Sequence, residues 1–180
     1  MVRRKSFQGT RGTMRNPILE ALEYDEERGA ISFKGVRYLL IRPETLVEFQ
    51  RALEERLGEE AQEILCRGGF AGGHLSTEKY RETFEYGDDE IVQFMMYMGG
   101  QIGWGKFKLE EFNPLAKRLI VKVIFSPFAA AYGKSAGPVC HFTRGVMAGM
   151  GQALFGEDVT ADESHCLAKG DDFCRFLIEA

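Results

Sequence analysis

Apolar positions along the chain change period several times, and each change marks a boundary between elements. From Ile18 to Ile41 the pattern is strand-like: Ile31 and Phe33 alternate with polar neighbours, and Val36–Ile41 forms a second short apolar run. Between them Glu26-Glu27-Arg28-Gly29 reads as a turn, with glycine where a positive φ is required. Pro43 and Glu44 then open a helix, in which Leu46, Phe49, Leu53 and Leu57 recur at helical spacing until Gly58 ends it. Another helix starts near Ala61–Cys66. The glycine-rich run Gly68–His74 has no phosphate-cradle spacing and predicts a bend or a close helix approach. Asp88 and Asp89 suit a helix N-terminus, and Ile91, Met95, Met98 and Ile102 place one apolar face on a helix from Asp88 to Ile102.

Strand periodicity returns after Lys106. Phe107 and Leu109 alternate with lysines, Asn113-Pro114 marks a turn, and Leu119, Val121, Val123 and Phe125 form the facing strand. A glycine-dotted helix is expected from Pro138 to about Leu154. A terminal hairpin is expected from Val159–Cys166 and Phe173–Ile178. These mixed blocks lack regular βαβ alternation. They predict an α+β fold, an antiparallel sheet packed against several helices.

Composition narrows the function. The chain has 180 residues with a net charge of -4, which suits one domain over residues 16–180 and argues against nucleic acid as a partner. Residues 1–15 hold Arg3, Arg4, Lys5, Arg11 and Arg15 without an acid, and are expected to form a basic, flexible tail. No apolar run reaches bilayer length and no secretory signal opens the chain, so a cytoplasmic protein with no membrane partner is expected.

Three enzyme motifs fail. Gly100–Lys106 starts like a nucleotide P-loop, but Phe107 stands where Mg²⁺ needs a hydroxyl, and helix precedes the loop instead of following it. Gly149-Met150-Gly151 lies inside a helix and lacks the last glycine of a dinucleotide fingerprint. No serine sits in a nucleophile elbow.

What remains is the C-terminal third: Cys140, Glu163-Ser164-His165-Cys166 and Cys174. Thiolates are soft donors suited to Zn²⁺, and Cys166 and Cys174 would face each other across a hairpin. Glu163 or His165 could supply a fourth donor, although strand alternation puts those two on one face and Cys166 on the other. Buried reduced thiols account for the same spacing.

The segment Gly137–Gly156, with its Pro138-Val139-Cys140 start, the Glu163–Cys166 stretch and Lys169-Gly-Asp-Asp-Phe-Cys-Arg-Phe176 together resemble the 4-vinyl-reductase (V4R) domain family. The resemblance continues through Arg42–Gln50 and Cys66–Gly69. It implies a fold like the small TRAPP transport-complex subunits, usually dimeric. Ligand-sensing members, found in bacterial regulators of aromatic catabolism, hold a structural zinc with three cysteines and a glutamate; those roles fall on Cys140, Glu163, Cys166 and Cys174. The sensors place a small apolar ligand beside the zinc-pinned element, and Phe94, Met95, Met98, Ile102, Trp104, Phe125, Phe128 and Phe142 are the expected wall. The phenol-sensing relatives fix a hydroxyl with a histidine and a tryptophan, and that histidine has no obvious counterpart here.

The resemblance implies a zinc-containing module that binds or senses an apolar or aromatic hydrocarbon without catalysis, as a homodimer signalling to a partner protein. Two other functions stay open: reduction of a vinyl group on a chlorophyll precursor, for which no nicotinamide or flavin fingerprint is present, and a dimeric assembly adaptor. Gly145, Gly149 and Gly151 give the last long helix a smooth side, for a close contact within the subunit or across a dimer.

Overall fold

The structure, a computed structural model, describes residues 15–180. Residues 1–14 of the basic segment lie outside the described residues.

Asn16 caps a short helix α1 (Pro17–Glu20) by accepting the Leu19 N–H at 3.1 Å, so Ile18 is helical where strand was expected. A three-stranded antiparallel sheet follows, β1 (Glu23–Asp25), β2 (Ala30–Phe33) and β3 (Val36–Tyr38). Gly29 takes the positive φ of its turn, +57°. The apolar run continues past β3, but Leu39, Leu40 and Ile41 leave the sheet and are exposed.

Helix α2 (Pro43–Leu57) ends at Gly58 as expected. Its buried face is rotated from the expected one: Val47 and Gln50 are buried, whereas Phe49 and Leu57 are exposed. Gln50 is held inside because its amide donates to the Val139 carbonyl at 3.0 Å and to Glu54 at 2.8 Å. Helix α3 (Glu60–Phe84) runs unbroken through the glycine-rich segment, so the run makes a close approach and not a bend. Helix α4 (Asp88–Gln101) then leads through a glycine turn into the hairpin β4 (Lys106–Asn113) and β5 (Arg118–Ile124).

The sequence did not announce α5 (Pro127–Tyr132), whose first turn is capped by the Ser126 hydroxyl accepting from Ala129 N–H at 3.3 Å. Helix α6 (His141–Phe155) precedes the terminal hairpin of β6 (Thr160–His165) and β7 (Cys174–Glu179), joined by a 3-10 turn at Leu167–Lys169. The larger sheet is antiparallel in the order β4-β5-β7-β6. Its inner face, with Leu119, Val121, Val123, Phe176 and Ile178, packs against Val92 and Met96 of α4 and Met147 and Met150 of α6. A second core joins Phe33 of the small sheet to Tyr80, Ile91 and Met98.

The glycine side of α6 meets α3 within the subunit. A side chain on Gly145 or Gly149 would collide with the carbonyls of Cys66 or Phe70, and one on Gly69 or Gly73 with those of Phe142 or Val146. Backbone therefore lies directly on backbone, which only glycine allows at both partners. Gly151 instead accommodates Ile178 of β7. Among the described residues no helix is long and apolar enough to cross a membrane.

Candidate functional site

Three elements bring the C-terminal donors together. Cys140 is the N-cap of α6, Glu163 comes from β6, Cys166 follows that strand as the N-cap of the 3-10 turn, and Cys174 opens β7. One sulfur or oxygen from each lies within 4.8 Å of the others, and all four residues are buried. Simple alternation would have separated Glu163 from Cys166. A β-bulge removes the conflict: Glu163 pairs with Phe176 and His165 with Arg175, leaving Ser164 as the extra residue. His165 turns outward to stack on Phe173 at 5.2 Å between ring centres, while Glu163 and Cys166 both enter the interior.

The donor set fits a divalent cation. Cys140 Sγ and Cys174 Sγ are 3.6 Å apart, too far for a disulfide and close to the edge of about 3.8 Å in a tetrahedron of Zn–S bonds of about 2.3 Å. Glu163 Oε2 accepts the Cys140 N–H at 2.9 Å, while Oε1 is buried without a partner. An orphaned carboxylate oxygen is costly in the interior, and a cation at the thiols would satisfy it. The Leu167 N–H, 3.4 Å from Cys174 Sγ, and the Ser126 hydroxyl, 3.7 Å from Cys140 Sγ, surround the sulfurs as outer partners do in metal sites.

Packing drives the charges of these groups apart. Burial first, then the negative Cys166, pushes the Glu163 carboxyl up to about 8. Donation by Cys140 and Cys174 holds the Cys166 thiol well below its ordinary value. The same bonding drives Cys140 upward. Without a cation, three of the four donors keep their protons and only Cys166 gives its proton up, and a cation placed among them would favour the deprotonated, ligating form of each.

A second feature lies on the other side of α6. A partly open cavity of about 250 Å³ lies among α3, α4 and α6, with Tyr38 and Trp104 also in its lining. Five methionines line it: Met95, Met96, Met98, Met147 and Met150. Of the expected wall, Met95, Met98, Ile102, Trp104 and Phe142 reach this chamber. Three do not. Phe94 packs into an aromatic cluster with Tyr80 and Phe84 at 5.2 and 5.1 Å. Phe128 stands edge-on behind Trp104 at 5.2 Å. Phe125 is 77% exposed, because its φ of +60° turns the side chain out of the strand's alternation.

Sequence reading missed Tyr38, Ser76 and Tyr80 and, of the five methionines, Met96, Met147 and Met150. The Tyr38 and Tyr80 hydroxyls bond each other, and burial raises both above the ordinary phenol value. The pair is neutral and self-satisfied. Among the described residues, no acid, lysine, arginine or histidine lines the chamber. His74 instead stacks on Phe70 and lies 3.4 Å from Glu78, and His141 is buried in the first turn of α6, where desolvation lowers its pKa.

Comparison with known proteins decides the family. Residues 18–110, just over half the chain, match the family model described as activator of aromatic catabolism, and residues 119–180 match that of the V4R domain. The chain belongs to this V4R-containing family of aromatic-catabolism activators. It is 25% identical over 176 residues to the phenol regulator MopR of Acinetobacter guillouiae, a match covering 89% of the chain and 30% of the regulator. The V4R chain thus spans under a third of that relative's length. The phenol-responsive sensory domain of the transcription activator PoxR, solved with phenol, superposes with a TM-score of 0.79 at 21% identity, over 91% of this chain and 86% of that one. A trafficking protein particle complex subunit 3 from Naegleria fowleri, solved covalently bound to palmitic acid, gives 0.55 at 10% identity, over 76% and 93%. At these identities the two structures speak for a shared fold, helices on an antiparallel sheet.

Proposed function

We propose that this V4R chain is a zinc-containing module that binds or senses a small apolar aromatic molecule without catalysis of its own. The observation that carries the reading is the apolar chamber of about 250 Å³ lined by five methionines. Polarizable thioethers mould to rings of varied shape, and a cavity of about 150 Å³ already suffices for benzene. The self-paired tyrosine hydroxyls ask no hydrogen bond of a ligand, which favours a hydrocarbon. Cys140, Glu163, Cys166 and Cys174 would hold the zinc. Four protein donors fill a tetrahedral shell and leave no position for a reacting water, so the ion is structural.

Cys140 and Phe142 stand two residues apart at the start of α6, and Phe142 lines the chamber. The zinc therefore fixes the helix that forms one chamber wall. An output through a signalling partner and a homodimer as the signalling unit belong to the same proposal.

Native mass spectrometry of the purified chain and thermal shift with toluene test the reading together. One zinc per chain and a toluene-dependent rise in Tm are expected. Absence of zinc from protein prepared without chelator, or no shift with toluene, phenol or ethylbenzene, overturns the corresponding half.

A further inference from the structure

Strand β4 is an edge of the larger sheet. It pairs with β5 on one side, and among the described residues no strand pairs with the other. An open groove of about 650 Å³ lies between the strand and α4, lined by Met96 and the 43% exposed Tyr97 of the helix and by Phe107–Phe112 of the strand. An unpaired edge offers a row of backbone donors and acceptors to another strand.

The chemistry of β4 is divided along its length. Lys106 and Lys108 occupy its first half, Glu110 and Glu111 its second. A β-bulge between Leu109 and Glu111 shifts the phase between the halves. Phe107 and Phe112, five residues apart, therefore pair with Val123 and Leu119 on the core-facing side of the sheet. Lys108 and Glu111, three residues apart, pair with Lys122 and Ile120 on the opposite side. Regular alternation would have split each of these couples between the two faces.

Lys108 is left without a counter-charge. It stands opposite Lys122, which stands opposite Arg175, and like charges directly across a sheet repel. Arg175 bonds Glu110 at 2.7 Å and Lys122 lies 3.5 Å over the Phe173 ring. Exposed Lys108, among the described residues, forms no ion pair.

Resting on the homodimer of the reading above, we infer that two copies join through β4. The strands pair antiparallel about a two-fold axis, so that the two sheets run on as one of eight strands. With Phe107 across from Phe112 of the second copy, Lys108 meets Glu111 of the second copy, and each contact occurs twice. Parallel strands in register would set lysine against lysine, so the charge pattern selects the antiparallel arrangement. Such an interface is self-complementary and closes at two copies.

Sedimentation equilibrium of the full chain tests this with two charge reversals, Lys108→Glu and Glu111→Lys. Wild type is expected to dimerise. Each variant alone replaces two attractions by two repulsions, and its dimer Kd is expected to rise at least about tenfold. An equimolar mixture of the two variants restores the dimer, because every reversed charge then meets its opposite, a recovery that misfolded chains would not give. A wild-type dimer left intact by Lys108→Glu overturns the inference, moves the contact to another face and leaves the functional reading standing. Loss in both variants without recovery on mixing overturns the register and the inference with it. A wild-type monomer overturns both this edge and the homodimer, and leaves β4 open to a strand of another protein. The toluene-dependent Tm shift, expected unchanged in both variants, judges ligand binding separately.

Discussion

The Cys140 amide donates to Glu163 Oε2 at 2.9 Å, so the residue that begins α6 both supplies a thiol and aims the carboxylate lying beside it. Cys140 is therefore doubly committed. Its backbone orients one donor and its side chain is another, and the brace from Gln50 to the Val139 carbonyl, at 3.0 Å, holds the segment in place.

Glu163→Gln separates the two tasks. An amide oxygen can still accept the Cys140 N–H, but the amide nitrogen cannot replace the free carboxylate oxygen as a donor to a cation. Zinc content by elemental analysis is expected to fall well below one per chain, with a loss of about 3 kcal/mol in stability, or roughly 6–12 °C in Tm. Cys66→Ser, outside the cluster, should leave zinc content unchanged. Full zinc retention in the glutamine variant would falsify the carboxylate's role.

The sign of the pH dependence should depend on the metal. Zinc uptake displaces protons from the thiols, so the loaded protein gains stability as pH rises and loses it on acidification. In the chelated protein Glu163 acts oppositely. Its carboxyl is raised from 4.5 to about 8 by burial and the Cys166 charge, so its contribution is complete below pH 4.5 and is lost as pH climbs through about 8. Urea midpoints across that window, with and without chelator, should have opposite slopes from these groups. Parallel slopes would remove the assignment.

Adjacent glycines on α3 should respond oppositely to alanine. A Cβ on Gly69 meets the Phe142 carbonyl, whereas on exposed Gly68 the nearest atom is a ring carbon of Phe142 at 3.9 Å. Gly68→Ala is expected to stabilise the chain by about 0.5–1 kcal/mol through helix propensity. Gly69→Ala should destabilise it by about 3 kcal/mol or more, because backbone cannot yield as a flexible side chain does. Chemical denaturation of both variants decides the matter, and equal midpoints would contradict the backbone contact.

Filling the chamber should abolish ligand binding and spare the metal. Ser76 lines the cavity from α3, and Ser76→Phe places a ring in the volume a ligand would use. The toluene-dependent Tm shift is expected to vanish while zinc content stays at one per chain. A retained shift would place the ligand elsewhere.

Long periodic segments were readable in extent: α2, α4 and the β4–β5 hairpin span the residues their apolar spacing marks, although α2 buries Val47 and Gln50 and leaves Phe49 and Leu57 of its apolar stripe exposed. Short elements were not. Six residues of α5 give too little periodicity to register, and α1 depends on a cap at Asn16 within an apolar run that resembles strand. The donor cluster was visible as residue types but not as geometry, since alternation opposes it and only the bulge at Ser164 reconciles Glu163 with Cys166. Tyr38 and Tyr80 escaped notice because their hydroxyls find each other across elements distant in sequence. A weak signal for the α3 side did exist: Gly69, Gly73, Ser76 and Tyr80 share helical spacing, so the small-residue stripe runs on into the chamber.

The glycine seam between α3 and α6 also orders events on the ribosome. The two halves of that seam lie more than 70 residues apart, at Gly69 and Gly73 and at Gly145 and Gly149, so a nascent polypeptide exposes the α3 stripe to solvent until α6 has emerged. The chamber can then have no complete wall, and no guest, before α6 has emerged.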